Sequence, residues 1–167
     1  YERGGRARAQ LAWVSPSQTI EIIPQSQLYS GLVDPDPQPD PDPVPDPDPV
    51  PDPDPTPDPT PDPTPDPQPS GGDGLRGAYY NNINFTAYAF ERVDSTVNFL
   101  WGRGAPAASI GPDTFSVRWT GQIEALYSET YTFRTSTDDG VQLWVDGQLI
   151  IDRYIDQPTT THAGTIA

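Results

Sequence analysis

From Asp34 to Pro69 every second residue is proline, and that alternation limits what the chain can fold into. Each proline fixes its own φ and pushes the residue before it out of the α region, so helix is excluded. Half of the backbone N–H donors are missing, and the interleaved residues are Asp, Thr, Gln and Val. Neither a sheet ladder nor a core can be built from them. Polyproline II remains, and at about 3.1 Å per residue the segment would reach roughly 110 Å when extended. Its eleven Asp residues repel one another. The run is read as part of a disordered Asp/Pro-rich linker over 34–73. A proline-rich peptide ligand normally carries a basic anchor, and this run has no Arg or Lys. An Asp ladder on a rod also lacks the glycine turn that converges a calcium loop.

The formal charge of −15 comes mostly from this run, since residues 1–33 carry +1 and residues 70–167 carry −5. A mildly acidic folded part offers no basic stripe for nucleic acid, and no apolar run of about 18 residues is present to insert into a membrane. There is no cysteine, which excludes disulfides, thiolate metal sites and a cysteine nucleophile. The chain starts at Tyr1 without a signal-peptide pattern, so the expectation is a fragment whose export signal lies upstream.

Turn signals every eight to twelve residues in the C-terminal part predict an all-β, antiparallel sandwich or barrel. Phe115, Val117 and Trp119 alternate with Ser116, Arg118 and Thr120, one face inward and one wet. Tyr131 and Phe133 alternate with threonines. Val141, Leu143 and Val145 form another inward row, Asp146-Gly147 suits a type I′ hairpin, and Leu149 and Ile151 return as its partner. In the N-terminal part Leu11 and Trp13 lie in one strand-like run and Ile20 to Ile23 in another, punctuated by Pro16 and Pro24. Thirty-three residues bury too little to fold alone.

GLRGAYYNNINF, ERVDSTVNFLWGRGAP and FSVRWTGQIEALYSETYTFRTSTDDGVQLWVDGQLIIDRY follow one another in residues 74–167. In this order and spacing they resemble the front two-thirds of a protective-antigen fourteen-kilodalton (PA-fourteen) domain. YERGGRARAQLAWVSPSQTIEIIPQSQLY resembles the end of another copy. The resemblance implies an incomplete β-sandwich at 74–167, a preceding module ending within 1–33, and a tandem array in the parent protein. A strand that family members have after the position of Ala167 is missing here. Because the two pieces are complementary parts of one fold, residues 1–30 are expected to dock on 74–167 as in a circular permutant. Backbone pairing from Leu11 to Val14 is the sign of it.

In adhesin-type lectins of that family, adjacent Asp residues joined by a cis peptide hold a calcium ion that holds sugar hydroxyls. The resemblance assigns that role to Asp138 and Asp139, and adjacent carboxylates on a loop suit a hard cation. The lectins add an Asn from a late loop, and RGGRARAQLAWVSPSQ has neither Asn nor Asp. The competing reading is a plain Asp-Asp-Gly turn. Trp101, Trp119 and Trp144 offer aromatic faces for sugars. Trp119 is in phase with the core, whereas Trp144 is out of phase and is the candidate for ligand contact. His162, the only histidine, is expected on a loop, with no triad or zinc set beside it. Two acids on one turn do not flank a glycosidic bond, so no catalytic residue is assigned and the fragment is not expected to be an enzyme.

The chain therefore reads as part of a secreted or cell-surface, multidomain bacterial protein. Its folded part is expected to bind glycans or polysaccharide, with calcium as the possible cofactor. A stalk repeat without a ligand of its own is the alternative. So is an accessory module of a secreted glycosidase or protease, working beside other modules of the same chain.

Overall fold

The computed structural model describes residues 1–31 and 71–167. The Asp-Pro run, with its polyproline II expectation, lies outside the described residues. In chain order the strands are β1 (Ala7–Ser15), β2 (Gln18–Ile22), β3 (Leu28–Tyr29), β4 (Leu75–Tyr80), β5 (Tyr88–Asp94) and β6 (Asn98–Gly102). They continue with β7 (Ser116–Thr120), β8 (Gln122–Ile123), β9 (Tyr131–Asp138), β10 (Val141–Val145), β11 (Gln148–Arg153) and β12 (Thr160–Ile166). Among the described residues a 3-10 turn, Gln25–Gln27, interrupts the strands. The fold is all-β and antiparallel, and none of its sheets closes into a barrel.

The main sheet has the order β12-β9-β1-β2, with β6 also paired to β1. Along one edge β1 pairs with β9 from Arg8↔Asp138 to Val14↔Thr132. Along the other it meets β6 at Ala7–Gln10 and β2 from Ala12. The expected pairing of Leu11 to Val14 with the C-terminal sheet is therefore present, and the N-terminal stretch supplies an interior strand rather than an edge. Residues 1–31 and 71–167 fall in one compact unit. At the mouth of the Asp-Pro run its two flanks are joined, since the Ser30 amide donates to Asp73 Oδ1 at 2.7 Å and Gly74 N–H to the Leu28 carbonyl at 2.9 Å.

The period of two explains β1. Ala7, Ala9, Leu11, Trp13 and Ser15 point inward and are buried, with Trp13 wholly so. Around them Ile23, Leu28, Leu75, Val97, Tyr131 and Phe133 complete one core cluster. Ala7, Tyr79, Ile110 and Phe115 form a second, and Trp101 packs against both. These clusters bury five aromatic side chains, each worth roughly 1.5–3 kcal/mol in transfer, and the N-terminal stretch adds Trp13 to them together with Leu11, Ile23 and Leu28.

The ERVDSTVNF motif builds a polar knot within the fold. Asp94, buried, accepts the Tyr79 hydroxyl at 2.5 Å, Trp119 Nε1 at 2.7 Å and Arg92 Nε at 2.6 Å. Arg92 also donates to the Tyr79 oxygen at 2.8 Å and lies over the Tyr79 ring, 4.7 Å from its centre. Burial, then the Asp94 hydrogen bond, pushes the Tyr79 phenol upward. Trp119 is thus a core residue, as its phase predicts.

Two details depart from the alternation. Ser116, expected on the wet face, is wholly buried and donates to the Asn82 carbonyl at 2.7 Å; a hydroxyl with a backbone acceptor can be buried. The Asp146-Gly147 hairpin forms with φ of 47° and 73°, as a type I′ turn requires. A bulge then pairs Trp144 with Leu149 and Leu143 with Ile151. Ile151 is buried, while Leu149 faces out beside Trp144.

Candidate cation site

Inward positions of β9 run Tyr131, Phe133, Thr135 and Thr137, all buried. The row changes from aromatic to hydroxyl and ends at carboxylates where the strand leaves the sheet. Asp138 is half-buried and Asp139 buried, and the peptide between them is cis. Gly140 follows because nothing larger fits: a Cβ there would lie 2.4 Å from the Tyr1 ring and 3.0 Å from the Ile155 nitrogen.

Backbone groups from two distant stretches fix Asp139. Arg3 N–H donates to its Oδ2 at 2.8 Å, and Gln157 N–H donates to its Oδ1 at 3.0 Å. Its own N–H reaches the Tyr1 carbonyl at 3.2 Å, and Gln157 Nε2 donates to its carbonyl at 3.1 Å. Asp138 Oδ2 accepts the Thr159 hydroxyl at 2.9 Å. His162 lies on β12 rather than on a loop, and its Nε2 meets Gln157 Oε1 at 3.0 Å. Because an amide oxygen only accepts, Nε2 carries the proton there, and the ring orients the glutamine that holds Asp139.

A third carboxylate, which the sequence reading did not single out, completes the cluster. Glu2 is 2% exposed, and ligand oxygens of Glu2, Asp138 and Asp139 all lie within 4.8 Å of one another. Glu2 Oε1 accepts Gly4 N–H at 2.9 Å, but Oε2 is buried without a partner. Burial, reinforced by the charge of Asp139, pushes the Glu2 carboxyl up to about 7. Like charges this close need a proton or a cation between them. The donors are all carboxylate oxygens, the set a hard cation such as calcium takes, and the orphaned Oε2 is a ready ligand. The set fits calcium and lacks the nitrogen and sulfur donors of a zinc site.

Aromatic groups stand beside the acids, again unforeseen. The Tyr1 and Tyr154 rings lie 4.5 Å apart, Phe85 is 6.4 Å from Tyr154, and the Arg118 guanidinium sits 4.9 Å from the Phe85 ring centre. Tyr1 hydroxyl and Arg3 both bind Asp156, at 2.6 and 3.0 Å. These contacts hold the Asp156 carboxyl below its ordinary range, the Tyr1 hydrogen bond foremost. Trp144 is exposed, as its phase predicts. It stands on β10 opposite Leu149, beside the Asp146-Gly147 hairpin. No signal in a single sequence puts Glu2 beside Asp139, because the two are joined only by the docking of the N-terminal stretch.

A family model described as the PA14 domain matches residues 71–165, and residues 1–31 lie outside that match. The anti-sigma-I factor RsgI3 of Acetivibrio thermocellus is 58% identical over 95 residues, covering 57% of this chain and 15% of that protein. The protective antigen of Bacillus anthracis is 33% identical over 87 residues, covering 50% of this chain and 11% of that protein. Among solved structures, an anti-sigma factor domain-containing protein superposes with a TM-score of 0.55 at 58% identity, covering 56% of this chain and 32% of that one. Another, from Clostridium clariflavum, gives 0.53 at 49% identity with the same coverage. The chain spans less than a third of the length of each of these relatives and structures.

Proposed function

Because the chain belongs to the PA14 domain family, we propose that it is a non-enzymatic carbohydrate-binding module of a larger extracellular protein, taking polysaccharide through calcium at Asp138 and Asp139. The observation that carries this reading is the convergence of carboxylate oxygens within 4.8 Å at the end of β9. Bound calcium would supply open coordination positions for paired sugar hydroxyls. The protein's part is to hold the carboxylates: Arg3 and Gln157 fix Asp139, and Thr159 fixes Asp138. Tyr154, partly exposed beside the acids, offers a ring face to a pyranose. Trp144, exposed on β10, would serve a second unit of a long chain.

Likeness to proteins named as anti-sigma factors supports a sensing role in the parent, with occupancy of this module reporting polysaccharide outside the cell. On this reading the module is secreted or displayed at a bacterial surface. The test is a polysaccharide and glycan array probed in calcium and in chelator. Retention that is lost with chelator and restored by calcium is the expected result. Silence across the array in both conditions overturns it in favour of a stalk module without a ligand.

A further inference from the structure

We propose that Glu2 is a third carboxylate ligand of the cation at Asp138 and Asp139, so that the ion clasps the N-terminal stretch into the sheet. The inference rests on the calcium reading above and adds an assembly role to it. Glu2 is buried to 2% exposure, and its Oε2 has no hydrogen-bond partner although it lies in the same 4.8 Å cluster as Asp138 and Asp139. An unpartnered buried carboxylate is costly unless something neutralises it. Arg3, the adjacent cation in the chain, is turned to Asp156 at 3.0 Å.

The position of Glu2 is set by backbone rather than by its own side chain. Its N–H donates to the Phe115 carbonyl at 2.8 Å, and the next residue, Arg3, donates its N–H to Asp139. Four residues after Arg3, the chain enters β1, whose Arg8 pairs with Asp138 itself. The ligands therefore come from two segments, one leading into β1 and one at the end of β9, whose strands are neighbours in the sheet but are separated in sequence by the Asp-Pro run. An ion that needs both sides binds only the docked arrangement, and mass action then stabilises docking. Without the ion the same three carboxylates repel across that joint.

The test compares wild type with Glu2→Gln and Asp138→Asn by calorimetric titration with calcium chloride. Thermal unfolding and amide exchange over Ala7–Ser15 are then followed in calcium and in chelator. Glutamine keeps the size of Glu2 and an acceptor for Gly4. The expected result is a crossover. In chelator Glu2→Gln is as stable as wild type or more so, whereas in calcium wild type is the more stable. Calcium affinity falls on the order of tenfold in Glu2→Gln, and the calcium-dependent protection of β1 amides is lost with it. If Glu2→Gln binds calcium like wild type while Asp138→Asn does not, Glu2 is no ligand and the calcium reading still stands. If calcium binds through Glu2 but leaves β1 exchange unchanged, the clasp is refuted. If wild type takes up no calcium, both the clasp and the calcium reading fail. A Glu2→Gln protein that does not fold in chelator also overturns the proposal, because it makes the carboxylate structural without an ion.

Discussion

Two buried carboxylate centres in this fold differ in how they are satisfied. Asp94 has three donors, one of them the Arg92 guanidinium, and both of its oxygens are engaged. The Glu2, Asp138 and Asp139 cluster gathers three like charges around one orphaned oxygen. A closed network of the first kind specifies a core, whereas an open one of the second kind waits for a ligand. The difference makes unequal demands on mutation and on calcium, and each demand can be measured.

The largest expected effect is at the closed centre. Asp94→Ala strands the Tyr79 hydroxyl and Trp119 Nε1 inside the core, while Arg92, partly exposed, can turn to water. The expected loss is about 3 kcal/mol in chemical denaturation, identical in calcium and in chelator. A loss that calcium repairs would erase the distinction between the two centres. Next in size is calcium itself. At a hundredfold excess over its dissociation constant it should stabilise wild type by about 2.7 kcal/mol, read as a chelator-reversible rise in Tm. The same increment in Asp94→Ala would show the two centres to be independent. Tyr79→Phe is milder, because Asp94 keeps Trp119 and Arg92. About 1.5 kcal/mol should be lost, with calcium affinity unchanged.

Smaller still is the expected effect of His162→Ala. The imidazole acts on Asp139 only through Gln157, so calcium affinity should fall by less than about tenfold, with a stability loss below about 1 kcal/mol. Titration calorimetry on the folded variant separates the two. A drop as large as that of Asp138→Asn would put the histidine closer to the ion than the structure does.

Much of this architecture is legible in the residues. The inward rows of β1, β7, β9 and β10 follow from period-two alternation, and the hairpin follows from Asp146-Gly147, because side-chain direction and positive φ are local properties. Leu149 escaped that reasoning because a bulge between it and Ile151, set by packing across the hairpin, puts the two residues on opposite faces. Ser116 escaped because the Asn82 carbonyl that accepts its hydroxyl comes from a loop with no local signature. The site was half legible. Asp138 and Asp139 are adjacent on one turn, but Glu2, Gln157 and His162 join them through long-range pairing of β1 and β12 with β9. Pairing of that kind is a property of the folded sheet rather than of any window of sequence.

The smallest expected change in stability tests the widest claim about the surface. Trp144 is 53% exposed and packs against no core cluster, so Trp144→Ala should alter unfolding by no more than about 0.5 kcal/mol and leave calcium affinity untouched. Tyr154→Ala, in contrast, removes a ring beside the carboxylates. If polysaccharide lies along the face from Tyr154 to Trp144, the tryptophan variant should lose affinity for long polymers while keeping it for short oligosaccharides, which span only the acid end. The tyrosine variant should weaken both. Equal losses on short and long ligands in the tryptophan variant would place the sugar at the hairpin end, and with it the binding surface away from the open carboxylate centre.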